Sequence, residues 1–170
     1  MFRLTLIALF AGLTLVGSAP AASPAQRIVS LSPTATEDLF AIGAGKQVVA
    51  ADQDSDYPKT APRTKLSGLT PNAEAIVGFH PDLVVVSYDA NHVVEALAKA
   101  KIPTVVEPSA PSLADAYRQI VQLGQLTGHA AGAKALVARM KARIAALVAS
   151  APRRSLTVYD ELSQDYYSAT

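Results

Sequence analysis

The residues best suited to binding chemistry follow the first apolar run of the sequence. The run Ile28–Leu31 is typical of a strand buried on both faces, and Ser32, Pro33 and Thr34 come directly after it. Ser32 is a favourable N-cap, and proline is favourable at the first position of a helix. A helix that begins at the carboxyl end of a parallel strand directs N–H groups toward the crevice where open α/β sheets bind ligands. We therefore expect Ser32 and Thr34 to lie beside a bound ligand, in the manner of an anion site.

Residues for catalysis are harder to assemble from this sequence. Ser30 and Ser32 flank Leu31, but no obvious base lies near them in the sequence. The sequence has no Gly-x-Ser-x-Gly elbow, no phosphate-binding loop with Gly-Lys-Ser/Thr and no His-Glu-x-x-His motif. A zinc or manganese site would need several converging histidines and carboxylates, and the turn after the first strand has none. We expect a binding protein rather than an enzyme; the alternative is a secreted α/β hydrolase or transferase, which turnover of generic esters would favour.

The composition indicates an exported protein. Residues 1–22 have the basic start, short apolar core and small terminal residues of a cleavable signal peptide, with an uncleaved membrane anchor as the alternative. The chain has no cysteine, which excludes disulfides and a lipobox attachment site, so we expect a soluble periplasmic protein. Removing Arg3 leaves 14 of the 15 basic residues to balance 14 acidic residues, and we expect no nucleic-acid partner.

The pattern of apolar residues predicts an α/β fold in which strands and helices alternate. Pro103 marks the fourth strand as an edge strand, and Glu37 and Asp38 are expected to lie near the positive end of the first helix dipole. The last helix would be about 30 Å long, enough to cross a small lobe. A further strand begins near Leu156 with no helix after it, so we expect the chain to be a fragment or a truncated gene product. The predicted strands are 28–31, 48–50, 83–86 and 102–106, and the predicted helices are 33–42, 73–79, 93–101, 113–126 and 130–150.

This order of elements and motifs resembles the periplasmic substrate-binding proteins of importers for vitamin B12, haem and iron–siderophore complexes, the class III or helical-backbone metal receptors. The matching segments are Arg27–Glu37, Gly43–Gly45, Val48–Val49, Asp56–Pro58, Asn72–Ile76 and Pro81–Val85. The resemblance implies two α/β lobes joined by one rigid helix, with the ligand between them. It assigns residues 1–22 to a signal peptide, 23–129 to a Rossmann-like N-terminal lobe with a parallel sheet, 130–152 to the bridging backbone helix and 153–170 to the start of a truncated C-terminal lobe.

The resemblance also implies which residues line the cleft between the lobes. In corrinoid receptors of the family an aromatic residue precedes the Asp-Tyr-Pro motif, and Asp54 stands at that position here. This difference weakens the specific case for vitamin B12 and leaves Tyr57 and Tyr88 as the alternative aromatic contacts. His92 is a weak candidate for an axial iron or cobalt ligand. The expected ligand-binding residues are Ser32, Pro33, Thr34, Asp56, Tyr57, Ser87, Tyr88, Tyr159 and Glu161.

Glu74 is the candidate for contact with a membrane partner. A surface glutamate on each lobe of such receptors docks against arginines of the permease, and Glu74 in its Asn-x-Glu context matches the first-lobe residue. The simpler alternative is a first-turn carboxylate that offsets the helix dipole. The function expected from the resemblance is capture of a metal chelate, cobalamin or an iron–siderophore with haem as the alternative. A monomeric receptor without an intrinsic cofactor would then deliver the chelate to the permease of an ABC importer.

Overall fold

The structure is a computed structural model, and it describes residues 23–152 and Thr157. The predicted signal peptide, residues 1–22, therefore lies outside the described residues. The predicted start of a second lobe, residues 153–170, also lies outside them apart from Thr157, and so do the site candidates Tyr159 and Glu161.

A four-stranded parallel sheet forms the centre of the fold, with the strand order β2-β1-β3-β4. Both β1 and β3 are buried along their whole length, as expected of strands covered by helices on two faces. β4 lies at an edge, as Pro103 predicted, and its last residue, Val106, is 43% exposed. The α/β fold class with a parallel sheet is confirmed. The strands are β1 Ile28–Leu31, β2 Val48–Ala51, β3 Leu83–Val86 and β4 Thr104–Val106.

Helices cover both faces of the sheet and give three layers. The helices are α1 Pro33–Ile42, α2 Ala73–Val77, α3 Val93–Lys99, α4 Leu113–Thr127 and α5 Ala130–Ser150. One core cluster joins α1, α4 and α5 to the first face through residues such as Leu39, Leu123 and Val137. A second cluster joins α2 and α3 to the other face through Ile76 and Leu97. Among the residues that the structure describes, no helix has both the length and the apolar character needed to span a membrane.

Local signals explain most helix boundaries. The predicted Ser32 cap is formed, with Ser32 Oγ accepting from Ala35 N at 3.3 Å. α2 and α4 begin in the same way, where Asn72 Oδ1 accepts from Ala75 N at 2.9 Å and Ser112 Oγ accepts from Asp115 N at 3.2 Å. α1 and α4 end at glycines with left-handed backbone conformations, φ 100° at position 43 and φ 78° at position 128.

Two helices are shorter than the sequence predicted. α2 ends at Val77 instead of residue 79, and α3 ends at Lys99 instead of residue 101. In each case the chain turns soon afterwards through a left-handed residue, His80 with φ 51° or Lys101 with φ 60°. Nothing in the apolar spacing signals such a turn, because it depends on where the following strand must enter the sheet.

The long helix α5 has the bounds that the sequence predicted, but its burial differs along its length. Ala133 and Val137 pack into the core, whereas Leu147 is 61% exposed and Val148 is 70% exposed among the described residues. The first turns of α5 rest directly on α1. A Cβ atom added at Gly132 would lie 2.1 Å from the carbonyl oxygen of Ile42, so only glycine permits this approach.

Gly132→Ala is therefore expected to destabilise the protein. A methyl group this close to a backbone carbonyl forces the two helices apart, at a cost near the upper end of about 1–3 kcal/mol, which exceeds the gain of about 1 kcal/mol by which alanine favours a helix. Urea unfolding followed by far-UV circular dichroism measures the difference. The control Ala131→Gly changes an exposed neighbour on the same helix and is expected to cost about 0.5–1 kcal/mol through helix propensity alone. A Gly132→Ala protein as stable as the wild type would contradict the close-packing argument.

Candidate functional site

Three neighbouring strands end side by side, and the residues that follow them share one cavity. The last residues of β1, β3 and β4 are register partners across the sheet. Ser32, Ser87 and Glu107 come next in the chain, and all three line a cavity of about 340 Å³. β2 pairs with one side of β1, and β3 pairs with the other side. The boundary between β1 and β3 is therefore the switch point, the place where open α/β sheets bind ligands.

Helices on one face of the sheet complete the cavity. α1 contributes Thr34 and Asp38, α4 contributes Gln119 and Ile120, and α5 contributes Met140. The structure thus brings together Ser32, Thr34 and Ser87, which the sequence placed near a ligand. It adds two acidic side chains, Asp38 and Glu107, and the amide of Gln119, none of which the sequence interpretation assigned to the site.

The beginning of α1 is less like an anion site than the sequence indicated. Pro33 has no N–H group, the Ala35 N–H donates to Ser32 Oγ at 3.3 Å, and the Thr36 N–H donates to the Ser32 carbonyl at 2.9 Å. Of the first four helical residues, only Thr34 has an N–H group that takes no part in these hydrogen bonds. The helix terminus therefore satisfies its own donors, and it offers little hydrogen bonding to an anion.

A buried hydroxyl cluster supports this wall from behind. Thr36 Oγ1 lies 2.8 Å from Ser30 Oγ and 2.9 Å from Ser55 Oγ, and it donates to the Ser32 carbonyl at 3.0 Å. All four residues are buried. Because Ser55 belongs to the polar loop after β2, the cluster ties that loop to α1. Ser30 Oγ also bonds the Ser32 carbonyl at 3.2 Å, so these hydroxyls are engaged in structure.

Two acidic side chains dominate the electrostatics of the cavity. Glu107 is only 8% exposed, and its Oε1 atom has no hydrogen-bond partner among the described residues. Burial raises the pKa of Glu107 from 4.5 to about 7, and the negative charge of Asp38 adds to the effect. Burial likewise raises the pKa of Asp38 from 3.8 to about 6, with a contribution from Glu37.

The sequence interpretation missed both acids. It placed Asp38 near the positive end of the α1 dipole, but the first turn of α1 holds no acidic residue and Asp38 faces the cavity one turn later. Glu107 was not considered, although it directly follows a predicted strand, just as Ser32 and Ser87 do. Applying the strand-end rule to every strand would have found Glu107.

The predicted aromatic contacts lie elsewhere. Asp56 lines a separate pocket with Lys59 and Arg63, and neighbouring Tyr57 is 62% exposed. Tyr88 is 46% exposed and is not among the side chains that line the cavity. In the described part of the chain, these residues do not join the wall formed by Ser32 and Ser87. Their role in binding remains a prediction.

Glu74 and His92 share a third location, on the opposite face of the sheet. They line a groove of about 630 Å³ between α2 and α3, together with Glu95 and Lys99. His92, which has a left-handed backbone (φ 55°), lines this groove and not the cavity. The sequence had suggested His92 as an axial metal ligand on the cavity side. Within residues 23–152, no three histidine, cysteine or acidic side chains converge in a way that could hold a metal ion.

The raised pKa of Glu107 predicts a pH-dependent stability. Between pH 4.5 and pH 7 the Glu107 carboxyl group holds its proton more tightly in the folded state than in the unfolded chain. The contribution of Glu107 to the free energy of unfolding therefore falls as the pH rises through this window. Glu107→Gln removes the effect. Above pH 7 the variant is expected to exceed the wild type in unfolding free energy by on the order of 2 kcal/mol, and at pH 4 by little.

Urea unfolding at pH 4, 6 and 8 measures this difference. The matched control is Glu95→Gln, which removes the same charge from an exposed position on α3, on the opposite face of the sheet. Its difference from the wild type is expected to stay small at all three pH values. A Glu107→Gln protein that follows the wild type in parallel across the range would show that Glu107 does not titrate as its burial indicates.

Comparisons with known proteins place this fold and cavity in context. The family model described as periplasmic binding protein matches residues 28–170. A cobalamin-binding protein of Halobacterium salinarum is 34% identical over 135 residues, which cover 76% of this chain and 37% of that protein.

Two solved structures from Vibrio cholerae are also similar. The periplasmic haem-binding protein HutB aligns with a TM-score of 0.73 and 26% identity over 79% of this chain and 53% of its own. The periplasmic vitamin B12-binding protein BtuF aligns with a TM-score of 0.70 and 25% identity over 82% of this chain and 56% of its own. The chain thus spans little more than a third of the curated relative and about half of each solved structure. On the family match, which extends over most of the sequence, the chain belongs to the periplasmic binding protein family.

Proposed function

We propose that this chain supplies one lobe of a periplasmic receptor that captures a metal chelate and delivers it to the permease of an ABC importer. The observation that carries the proposal is the alignment of Ser32, Ser87 and Glu107 at the switch point of the sheet, where they line one cavity. Family members named for cobalamin and haem support a flat metal chelate as the ligand class. In this proposal α5 is the bridging helix, and the receptor acts as a monomer.

The contacts of the serine residues favour binding over hydrolysis. A serine nucleophile needs a base within hydrogen-bond reach, but Ser30 Oγ bonds the Ser32 carbonyl and Ser32 Oγ accepts from a helix N–H. None of the described histidines lines the cavity. The acids Asp38 and Glu107 are the only titratable side chains among the described residues that line it, and they face hydroxyl and amide groups there.

Ligand titration tests the proposal. Cyanocobalamin, haemin and a ferric hydroxamate siderophore are each added to the full chain, and binding is read by quenching of the six tyrosines in a sequence without tryptophan. N-acetyltyrosinamide at matched absorbance corrects for the colour of the ligands. Saturable binding of one chelate at one equivalent per chain is the expected result. Absence of saturable binding, or turnover of a generic ester such as p-nitrophenyl acetate, would contradict the proposal.

The position of Glu74 fits a role in docking to the permease. Glu74 is exposed in the first turn of α2, and it forms no ion pair with any of the described residues. The neighbouring Glu95 is already paired with Lys99 at 2.8 Å. The groove containing Glu74 lies on the α2–α3 face, whereas the cavity lies against α1, α4 and α5. A cationic partner could therefore engage Glu74 without touching the cavity.

Glu74→Arg is expected to leave chelate affinity unchanged and to abolish chelate uptake. The variant reverses the charge that meets the permease arginines, while its effect on fold stability is limited to the helix-dipole interaction, about 0.3–1 kcal/mol. Uptake of radiolabelled chelate by cells that depend on this receptor measures transport, and tyrosine quenching measures affinity.

Two further variants separate docking from a general charge effect. Glu74→Gln is expected to reduce uptake partly, because it removes the attraction without adding repulsion. Glu37→Gln removes an exposed carboxylate on the opposite face of the sheet and is expected to leave uptake at the wild-type level. Normal uptake by the Glu74→Arg receptor would refute the docking role.

A further inference from the structure

The described side chains that line the cavity include two acids and no base. Asp38 from α1 and Glu107 from the end of β4 both line it, beside the hydroxyls of Ser32, Thr34 and Ser87. No basic side chain of the described residues lines the same cavity. Its polar groups are therefore hydrogen-bond acceptors, hydroxyls that both donate and accept, and the single amide of Gln119.

The carboxylate of Glu107 lacks a hydrogen-bond donor for one of its oxygens among the described residues. Its side chain is more than nine-tenths buried, yet Oε1 makes no hydrogen bond with any described residue. Buried carboxylate oxygens in folded proteins are ordinarily paired. Glu107 also lines the cavity, so a donor group on a ligand seated there would pair with its carboxylate.

We propose that Asp38 and Glu107 form a subsite for N–H donor side arms of the chelate, so that the cleft favours ligands with amide arms over ligands with carboxylate arms. The inference rests on the proposed function and narrows its ligand class. Corrinoids carry acetamide and propionamide arms around the ring, whereas haem carries two propionates. An amide N–H donates to a carboxylate, while a propionate placed against the same two acids meets like charge.

A bare metal ion explains the site less well than an amide arm. A resident cation held by protein side chains ordinarily needs three or more converging ligands. The described residues offer the two acids and no third histidine, cysteine or acidic side chain in reach of them. The cavity is also bordered by Ile120 and Met140, whose apolar surface suits an organic ring.

Matched ligand pairs test the preference without changing the ring. The first pair is iron protoporphyrin IX and its diamide, in which both propionates are converted to propionamides. The second pair is dicyanocobyrinic acid, with free carboxylates, and dicyanocobinamide, with amide arms. Each ligand is titrated into the full chain at pH 7.5, up to millimolar concentration, and dissociation constants are taken from tyrosine quenching.

The wild-type chain is expected to bind the amide form of at least one ring about tenfold more tightly than the carboxylate form, the scale of one charge-assisted hydrogen bond. Glu107→Gln is expected to bring the two forms within about twofold of each other, since an uncharged amide no longer discriminates between them. Asp38→Asn serves as a second variant with the same expected direction. Glu95→Gln, on the opposite face of the sheet, is expected to retain the wild-type ratio.

Two results would overturn the inference, and they differ from a failure of the proposed function. Equal affinity for the two arms in the wild type, or a preference unchanged in both Glu107→Gln and Asp38→Asn, removes the subsite but leaves the receptor function standing. Absence of binding by every ligand of both pairs removes the receptor function and the subsite together. Far-UV circular dichroism of each variant confirms that the fold is intact.

Discussion

The register of the parallel sheet is the constraint on which the rest of the structure depends. Because β1 and β3 are buried on both faces, neither strand can slip by a residue without moving its apolar side chains between two different cores. That fixed register makes β1, β3 and β4 end at the same level. The residues at the strand ends are thereby presented together to one cavity, although the chain segments between them are long.

The same constraint decides the chemical character of the cavity. A helix begins at the end of β1, but Pro33 and the Ser32 cap leave few of its N–H groups available. Glu107 follows β4 and Asp38 comes from the second turn of α1, and together they outweigh the weak positive end of the helix. The outcome is an acceptor-rich wall with apolar borders. Two features bear on whether the proposed ligand is cobalamin or haem. Asp54 stands where corrinoid receptors have an aromatic residue, which weakens the case for a corrinoid, whereas the proposed subsite of Asp38 and Glu107 strengthens it.

Helix packing separates the binding face from the second surface of interest. α1, α4 and α5 enclose the cavity, with Gly132 allowing α5 to rest on the last turn of α1. α2 and α3 cover the other face and hold Glu74 in an exposed groove beside an established ion pair. A membrane partner that engages Glu74 would therefore contact a surface that shares no lining residue with the cavity. A substitution at Glu74 therefore leaves every residue that lines the cavity unchanged.

The sequence by itself determined the elements and their order, because those depend on local signals. Continuous apolar runs predicted the strands, Ser32 and Pro33 predicted the start of α1, and Pro103 predicted the edge strand. Ser32 and Thr34 could be assigned to a site because they follow the carboxyl end of a buried strand, and the family resemblance added Ser87. Only the tertiary structure decided which other side chains join them. Asp38 enters the cavity through its place on α1, whereas Glu107, at the end of β4, follows the same strand-end rule as Ser32. Tyr57, in the loop after β2, and Tyr88, after β3, do not line the cavity, and His92 lines the groove between α2 and α3 instead. Those outcomes depend on how distant elements pack, which residue spacing does not encode.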